Sequence, residues 1–311
     1  MGTAIVRCQI LDLCSLMDNS LIFLIHHSND DGVIDDILLQ TMCALDDIAP
    51  CTLTVDETRV FEKIVQRIPS EILSENSVSS EREIERRGRD QMESVGVDAE
   101  EEVDAEELEI EDEEMRVVNN MYKILKNNEI LGQILRTKFG SLKRKKLLEV
   151  VETVADSGLR IVRLMLGSQR EINDYAAYIR ERHPELETEE IKHFLTTISF
   201  LLTMWNVEKI VCALNKPEIF PIVENVVRKR NTPAYDLIDY FLRLETTHDL
   251  GERERDQLKS LLRKHQYSFF RKVISIRTQG YLNTHRVVEP IEQSICSLLN
   301  IRYRPRLKRL A

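Results

Sequence analysis

Glycine and proline are scarce in this sequence, ten and eight among 311 residues. Turn-rich β architectures draw on the backbone freedom of the one and the fixed φ of the other, so their shortage argues against such folds. Cysteine is present without its motifs. Cys8, Cys14, Cys43, Cys51, Cys212 and Cys296 form no C-x-x-C pair and mostly sit among apolar neighbours, which removes zinc-ribbon readings and predicts buried free thiols in a reducing compartment. Long apolar runs are missing too: Phe194 to Val207 is an uncharged stretch of 14 residues, where a membrane-spanning helix needs about 20. The cluster Leu21 to Ile25 is too short for a signal core and has no basic leader. A soluble cytoplasmic protein with no membrane association is the expectation.

Catalytic signatures are likewise absent. No two glycines stand five apart with Lys after the second, so there is no phosphate-cradling P-loop, and G-x-S-x-G, H-E-x-x-H and the EF-hand loop do not occur. The sequence predicts no catalytic residue, no metal and no cofactor.

What is present favours helices. Hydrophobic residues make up 42% and charged residues 31% of the chain, rich in Leu, Glu, Lys and Arg, a composition suited to an all-α fold with a real core. The net charge of −10 is local rather than global, because thirteen carboxylates lie between Glu93 and Glu114 with no Lys or Arg among them. Set aside, they leave a small positive balance, so the isoelectric point says little about partners. That stretch has too few apolar residues to offset its ordering entropy and is predicted as a flexible acidic segment or loose helix.

The organising stretch runs from Met115 to Leu166. Val117, Val118, Met121, Tyr122, Leu125, Ile130, Leu131, Ile134 and Leu135, then Leu147, Leu148, Val150, Val151 and Val154, recur in steps of three and four, the spacing of two amphipathic helices. Gly140 suits a left-handed C-cap and Ser141 an N-cap, which folds the chain back as an antiparallel pair. Upstream, Val33 to Leu45 reads as a helix ending before Pro50, and Val55 to Ile68 as another stopped by Pro69. Downstream, Glu171 to Arg182 is followed by a long helix capped by Thr188, whose Ile191, Phe194, Leu195, Ile198, Leu201, Leu202, Trp205 and, beyond it, Ile210 to Leu214 predict the most buried element of the chain. Further helices follow at Ile222 to Arg230, from the Thr232-Pro233 start, over Glu252 to His265, from Ser268 to an end at Gly280, and from Pro290. The reading is a multi-helical array of antiparallel pairs: an N-terminal helical segment over 1–69, a charged linker over 70–114, a main helical domain over 115–300 and a basic tail over 301–311.

Three residue groups carry possible chemistry. His26 and His27 beside Asn29-Asp30-Asp31 have the donor types of a metal site, although histidines at a helix end also serve as caps. Arg243 and His248 have the R-x4-H spacing of HEPN ribonucleases, small helical folds in which His moves a proton and Arg holds phosphate; the helix macrodipole alone also favours a basic pair at a C-terminus. The tail, five basic residues around Tyr303, could contact nucleic acid through phosphates and one stacked base, or pair with the acidic run.

Several stretches resemble the helical C-terminal region of bacterial STAND-type ATPases, large multidomain signal-transduction proteins that include antiviral defence proteins. They are NNMYKILKNNEILGQILRTKFGSL, EVVETVADSGLRIV, NTPAYDLIDYFLRLETTH and SICSLLNI, with VIDDILLQTMCALDDIAP and SEREIERRGRDQME more weakly similar. The resemblance implies a helical region that follows a nucleotide-binding core and couples sensing to oligomerisation. It transfers no catalytic residue, and the family's Walker motifs are absent here. The expectation is therefore a non-enzymatic interaction or regulatory module acting with a protein partner, an ATPase subunit or itself, in phage-defence signalling. A HEPN-like ribonuclease and a nucleic-acid-associated scaffold are the alternatives.

Overall fold

The computed structural model describes residues 32–65, 113–167, 169–183, 186–246, 250–285 and 287–303. Among them there are helices and connecting turns and no strand. In chain order these are α1 (Gly32–Cys43), α2 (Val55–Thr58), a 3-10 turn (Arg59–Phe61), α3 (Glu62–Val65), α4 (Glu113–Lys138), α5 (Arg144–Gly167), α6 (Gln169–Arg182) and α7 (Thr188–Leu214). A second 3-10 turn (Pro217–Ile219) then leads to α8 (Phe220–Arg230), α9 (Pro233–Thr246), α10 (Glu252–Lys264), α11 (Ser268–Thr284) and α12 (Glu289–Leu299).

The expected all-α architecture and the α4–α5 pair are both present, but the fold is centred on α7. It packs against α4, α5, α6 and α9 and against the 3-10 turn at Phe61. Two glycines permit the closest of these approaches. A Cβ on Gly132 of α4 would lie 2.8 Å from both the Cα and the carbonyl oxygen of Ala213, and one on Gly158 of α5 would lie 2.4 Å from Ile210 Cγ1. At the other end of the core Phe61, Phe200 and Phe269 meet edge-on and stacked, with ring centroids 5.6 to 5.9 Å apart, an arrangement matched to the ring quadrupoles. Residues 32–65 share this core: Ile34, Leu38, Leu53 and Phe61 belong to the same buried cluster as α5, α7 and α9.

The α4–α5 pair is also joined by a polar contact that hydrophobic periodicity does not reveal. Buried Asn128 donates to the Val154 carbonyl at 3.3 Å and accepts from Ser157 Oγ at 3.1 Å. Between α9 and α11, the Tyr240 and Thr278 hydroxyls meet at 2.8 Å in the interior.

Several local expectations change. No glycine among the described residues has positive φ, so Gly140 is not a left-handed cap; α4 ends at Lys138, whose carbonyl accepts from Ser141 N, Leu142 N and Ser141 Oγ. Ser141 therefore closes α4 rather than opening α5, which begins at Arg144. Thr188 is the first residue of α7, not its cap; its hydroxyl accepts instead from Arg180 of α6 at 2.8 Å. Gly280 does not end α11, which continues to Thr284. Val118 and Tyr122, assigned to the inner stripe of α4, are exposed. Cys43 and Cys212 are exposed, whereas Cys51 and Cys296 are buried as expected. The acidic run gives its last two carboxylates, Glu113 and Glu114, to the start of α4; the rest of it, with Cys8, Cys14 and the 1–31 segment, lies outside the described residues. The starts at Thr232-Pro233 and Pro290 stand: the Tyr235 amide donates to Thr232 Oγ1 at 3.5 Å, and Pro290 occupies the first turn of α12.

Candidate interaction surface

Apolar residues are distributed all round α7, a pattern that ordinarily marks a helix buried on every side. By length and composition it is the one helix among the described residues that could cross a membrane, but 56% of its apolar window is buried inside the fold. The inward side is formed by Ile191, Phe200, Met204, Val207, Ile210, Val211 and Leu214. Of the residues assigned to the core by sequence, Ile191, Ile210, Val211, Ala213 and Leu214 are buried, but four face out: Phe194 is 63% exposed, Ile198 37%, Leu202 39% and Trp205 43%. This is the main reversal of the sequence reading. A pattern apolar in all directions cannot say which stripe meets the rest of the protein, and the small residues opposite Ile210 and Ala213 settle it.

Polar groups share the inward side with Phe200 and Met204. Thr196, Ser199, Thr203 and Asn206 are all buried. Ser199 Oγ donates to the Met165 carbonyl of α5 at 2.6 Å, and Thr196 and Asn206 bond to their own helix at Lys192 and Leu202. Among the described residues Thr203 Oγ1, Asn206 Oδ1 and His193 Nε2 are buried and meet no hydrogen-bond partner. Over residues 193–206, then, Thr196, Ser199, Thr203 and Asn206 are buried beside Phe200 and Met204, while Phe194, Ile198, Leu202 and Trp205 are exposed. The four exposed apolar side chains form a candidate contact face.

Aromatic and basic groups are also exposed on α7 and on its neighbour α6. Lys209 Nζ lies 5.2 Å from the Trp205 ring centroid. On α6, the neighbour of α7, Tyr175 and Tyr178 are exposed with ring centroids 6.0 Å apart, and the Arg182 guanidinium sits 3.7 Å over the Tyr178 ring. Tyr, Trp and Arg are the residues enriched at protein–protein contacts. Glu187, Glu189 and Glu190 open α7, a charge that disfavours phosphate at this end.

Elsewhere the polar clusters are spent internally. Arg243 donates through Nη2 to Glu224 and through Nε to Asp239 at 3.0 Å, so its guanidinium already holds two carboxylates instead of facing an open cleft. Burial holds the Asp239 carboxyl above the usual carboxylate range against the pull of Arg243. His248, its partner in the R-x4-H reading, lies outside the described residues, as do His26 and His27. Within the basic tail, Tyr303 donates its hydroxyl to Glu289 at 3.0 Å and packs against the core; residues 304–311 are not described.

One arrangement escaped sequence reading. His265, 7% exposed, shares Asp236 Oδ2 with Lys264 at 2.7 and 2.6 Å, and its ring packs 4.3 Å from Phe270. No motif announces it, because Asp236 lies on α9 and His265 just after the end of α10, and only the packing unites them. Beside it lies a shallow depression of about 600 Å³ between Thr54, Pro233 and Tyr267, widely open to solvent. A His–Asp pair can orient a general base; the buried Cys51 thiol is disfavoured as a thiolate, since burial and the adjacent Glu57 carboxylate push it up to about 12. Among the described residues no group of three or more His, Cys, Asp or Glu side chains could hold a metal ion. Comparisons with protein-family models, curated proteins and solved structures find no match for this chain.

Proposed function

We propose that this chain is a non-enzymatic helical interaction module that docks a protein partner on the outward face of α7. The observation that carries the reading is the row of large apolar side chains that this helix leaves outside, Phe194, Ile198, Leu202 and Trp205, while Thr203 and Asn206 are inside. Such a face lowers its free energy only when another apolar surface covers it. The resemblance to the helical region of STAND-type ATPases agrees with it, since there too the helical part would relay a signal through contacts rather than perform chemistry; phage-defence signalling is the setting that resemblance suggests. The competing nuclease reading needs a phosphate-binding Arg243, and that side chain is held between Glu224 and Asp239.

The purified chain should hydrolyse neither ATP nor GTP and should leave single-stranded RNA intact. RNA cleavage abolished by His248→Ala would replace this reading with the nuclease, and nucleotide hydrolysis would equally overturn it.

A further inference from the structure

The outward stripe of α7 repeats its apolar chemistry read from either end and carries opposite charges at the two ends. Glu190, Phe194, Ile198, Leu202, Trp205 and Lys209 follow one another at steps of four, four, four, three and four, which keeps them on one side of the helix. The order is acid, aromatic, aliphatic, aliphatic, aromatic, base. All six are exposed, and among the described residues neither Glu190 nor Lys209 is in an ion pair.

We propose that this face binds the same face of a second copy of the chain, with the two α7 helices antiparallel about a two-fold axis that crosses the stripe between Ile198 and Leu202. The proposal rests on reading α7 as an interaction surface and names what covers it. In this register Glu190 meets the partner's Lys209, Phe194 meets the partner's Trp205, and Ile198 meets the partner's Leu202, each pair occurring twice. Two-fold interfaces are self-complementary by construction, residue i meeting j while j meets i. An unrelated partner would set no such condition on the order of residues along the stripe. The charges also choose the direction: a parallel pair would set Glu190 against Glu190 and Lys209 against Lys209. The two charged ends stand about 28 Å apart along the axis, far enough that each opposite-charge contact acts independently. One helix per chain makes a small interface, at or below the roughly 800 Å² per partner of stable complexes, so the pairing is reversible and micromolar.

Sedimentation equilibrium of the full chain from ~1 to ~200 µM should show a monomer passing to a dimer. Trp205 is the only tryptophan, so its emission should move to the blue over the same range. Glu190→Lys and Lys209→Glu should each weaken the dimer roughly tenfold, and the double exchange should restore it. Phe194→Asp should leave a monomer whose far-UV circular dichroism and melting match the wild type, because the site is exposed. A chain monomeric throughout, or a dimer indifferent to the single exchanges, or a double exchange that fails to restore pairing, overturns the proposal. Failure of pairing with the ATP, GTP and RNA assays still silent removes only self-association; activity in those assays removes the interaction reading itself.

Discussion

Glu57 shows how much a single side chain can organise. Its Oε2 accepts from the Thr52 amide and hydroxyl at 2.9 and 2.8 Å, from the Thr54 amide at 3.3 Å and from the Cys51 thiol at 3.3 Å, while Oε1 receives Arg163 at 2.6 Å. Burial works to raise this carboxyl, but the hydrogen bonds from Thr52 and Cys51 and the Arg163 charge outweigh it and hold it below the usual carboxylate range. A carboxyl whose pKa is depressed by folding contributes stability that is present above its unfolded value and lost as pH falls through its folded value. Urea unfolding at pH 7 should therefore show Glu57→Gln destabilised by about 2 kcal/mol. The gap between variant and wild type should close progressively in acid, below the ordinary glutamate range. A gap that did not narrow would mean the carboxylate is not the source.

At the scale of elements, helices meet as closely as their smallest residues allow. Gly132 of α4 faces the backbone of Ala213, whereas Gly158 of α5 faces the side chain of Ile210. A backbone cannot yield to a new methyl group, but an isoleucine can change rotamer. Gly132→Ala should thus lower stability by roughly 1–3 kcal/mol in thermal or urea unfolding, through overpacking. Gly158→Ala should cost less, because repacking of Ile210 and the better helix propensity of alanine both offset the strain. Equal losses at the two sites would show that α7 shifts as a unit away from both neighbours. Thr232-Pro233 and Pro290 were legible helix starts because capping is chemistry local to three or four residues. Gly140 misled because a glycine after a helix permits a left-handed turn without requiring one.

Across the whole molecule, residues 49–58 act as a strap joining parts of the chain far apart in sequence. The Cys51 amide donates to the Leu159 carbonyl, the Ala234 amide donates to Thr52, the Tyr267 hydroxyl donates to Leu53, and Arg163 donates to the carbonyls of Ala49 and Pro50. Leu53 is fully buried at φ 55°, a left-handed conformation that a leucine keeps only when its surroundings hold it there. Releasing the strap means parting α5, α9 and α11 together. Modification of the Cys51 thiol in the folded protein should accordingly require global unfolding: its labelling rate should depend on urea as unfolding does, while exposed Cys43 labels freely. Fast Cys51 labelling without denaturant would show that the strap opens by itself.

Composition and periodicity alone determined that this chain is helical, where most helices begin, and that no familiar catalytic motif is written in it, because these properties depend on residues within a few positions of one another. Tertiary structure decided which side of α7 faces inward, that Arg243 is held by Glu224 and Asp239, and that Asp236 meets His265. Those outcomes depend on which surfaces can approach closely enough to exclude water, and a helix apolar on every side encodes several answers until its neighbours select one.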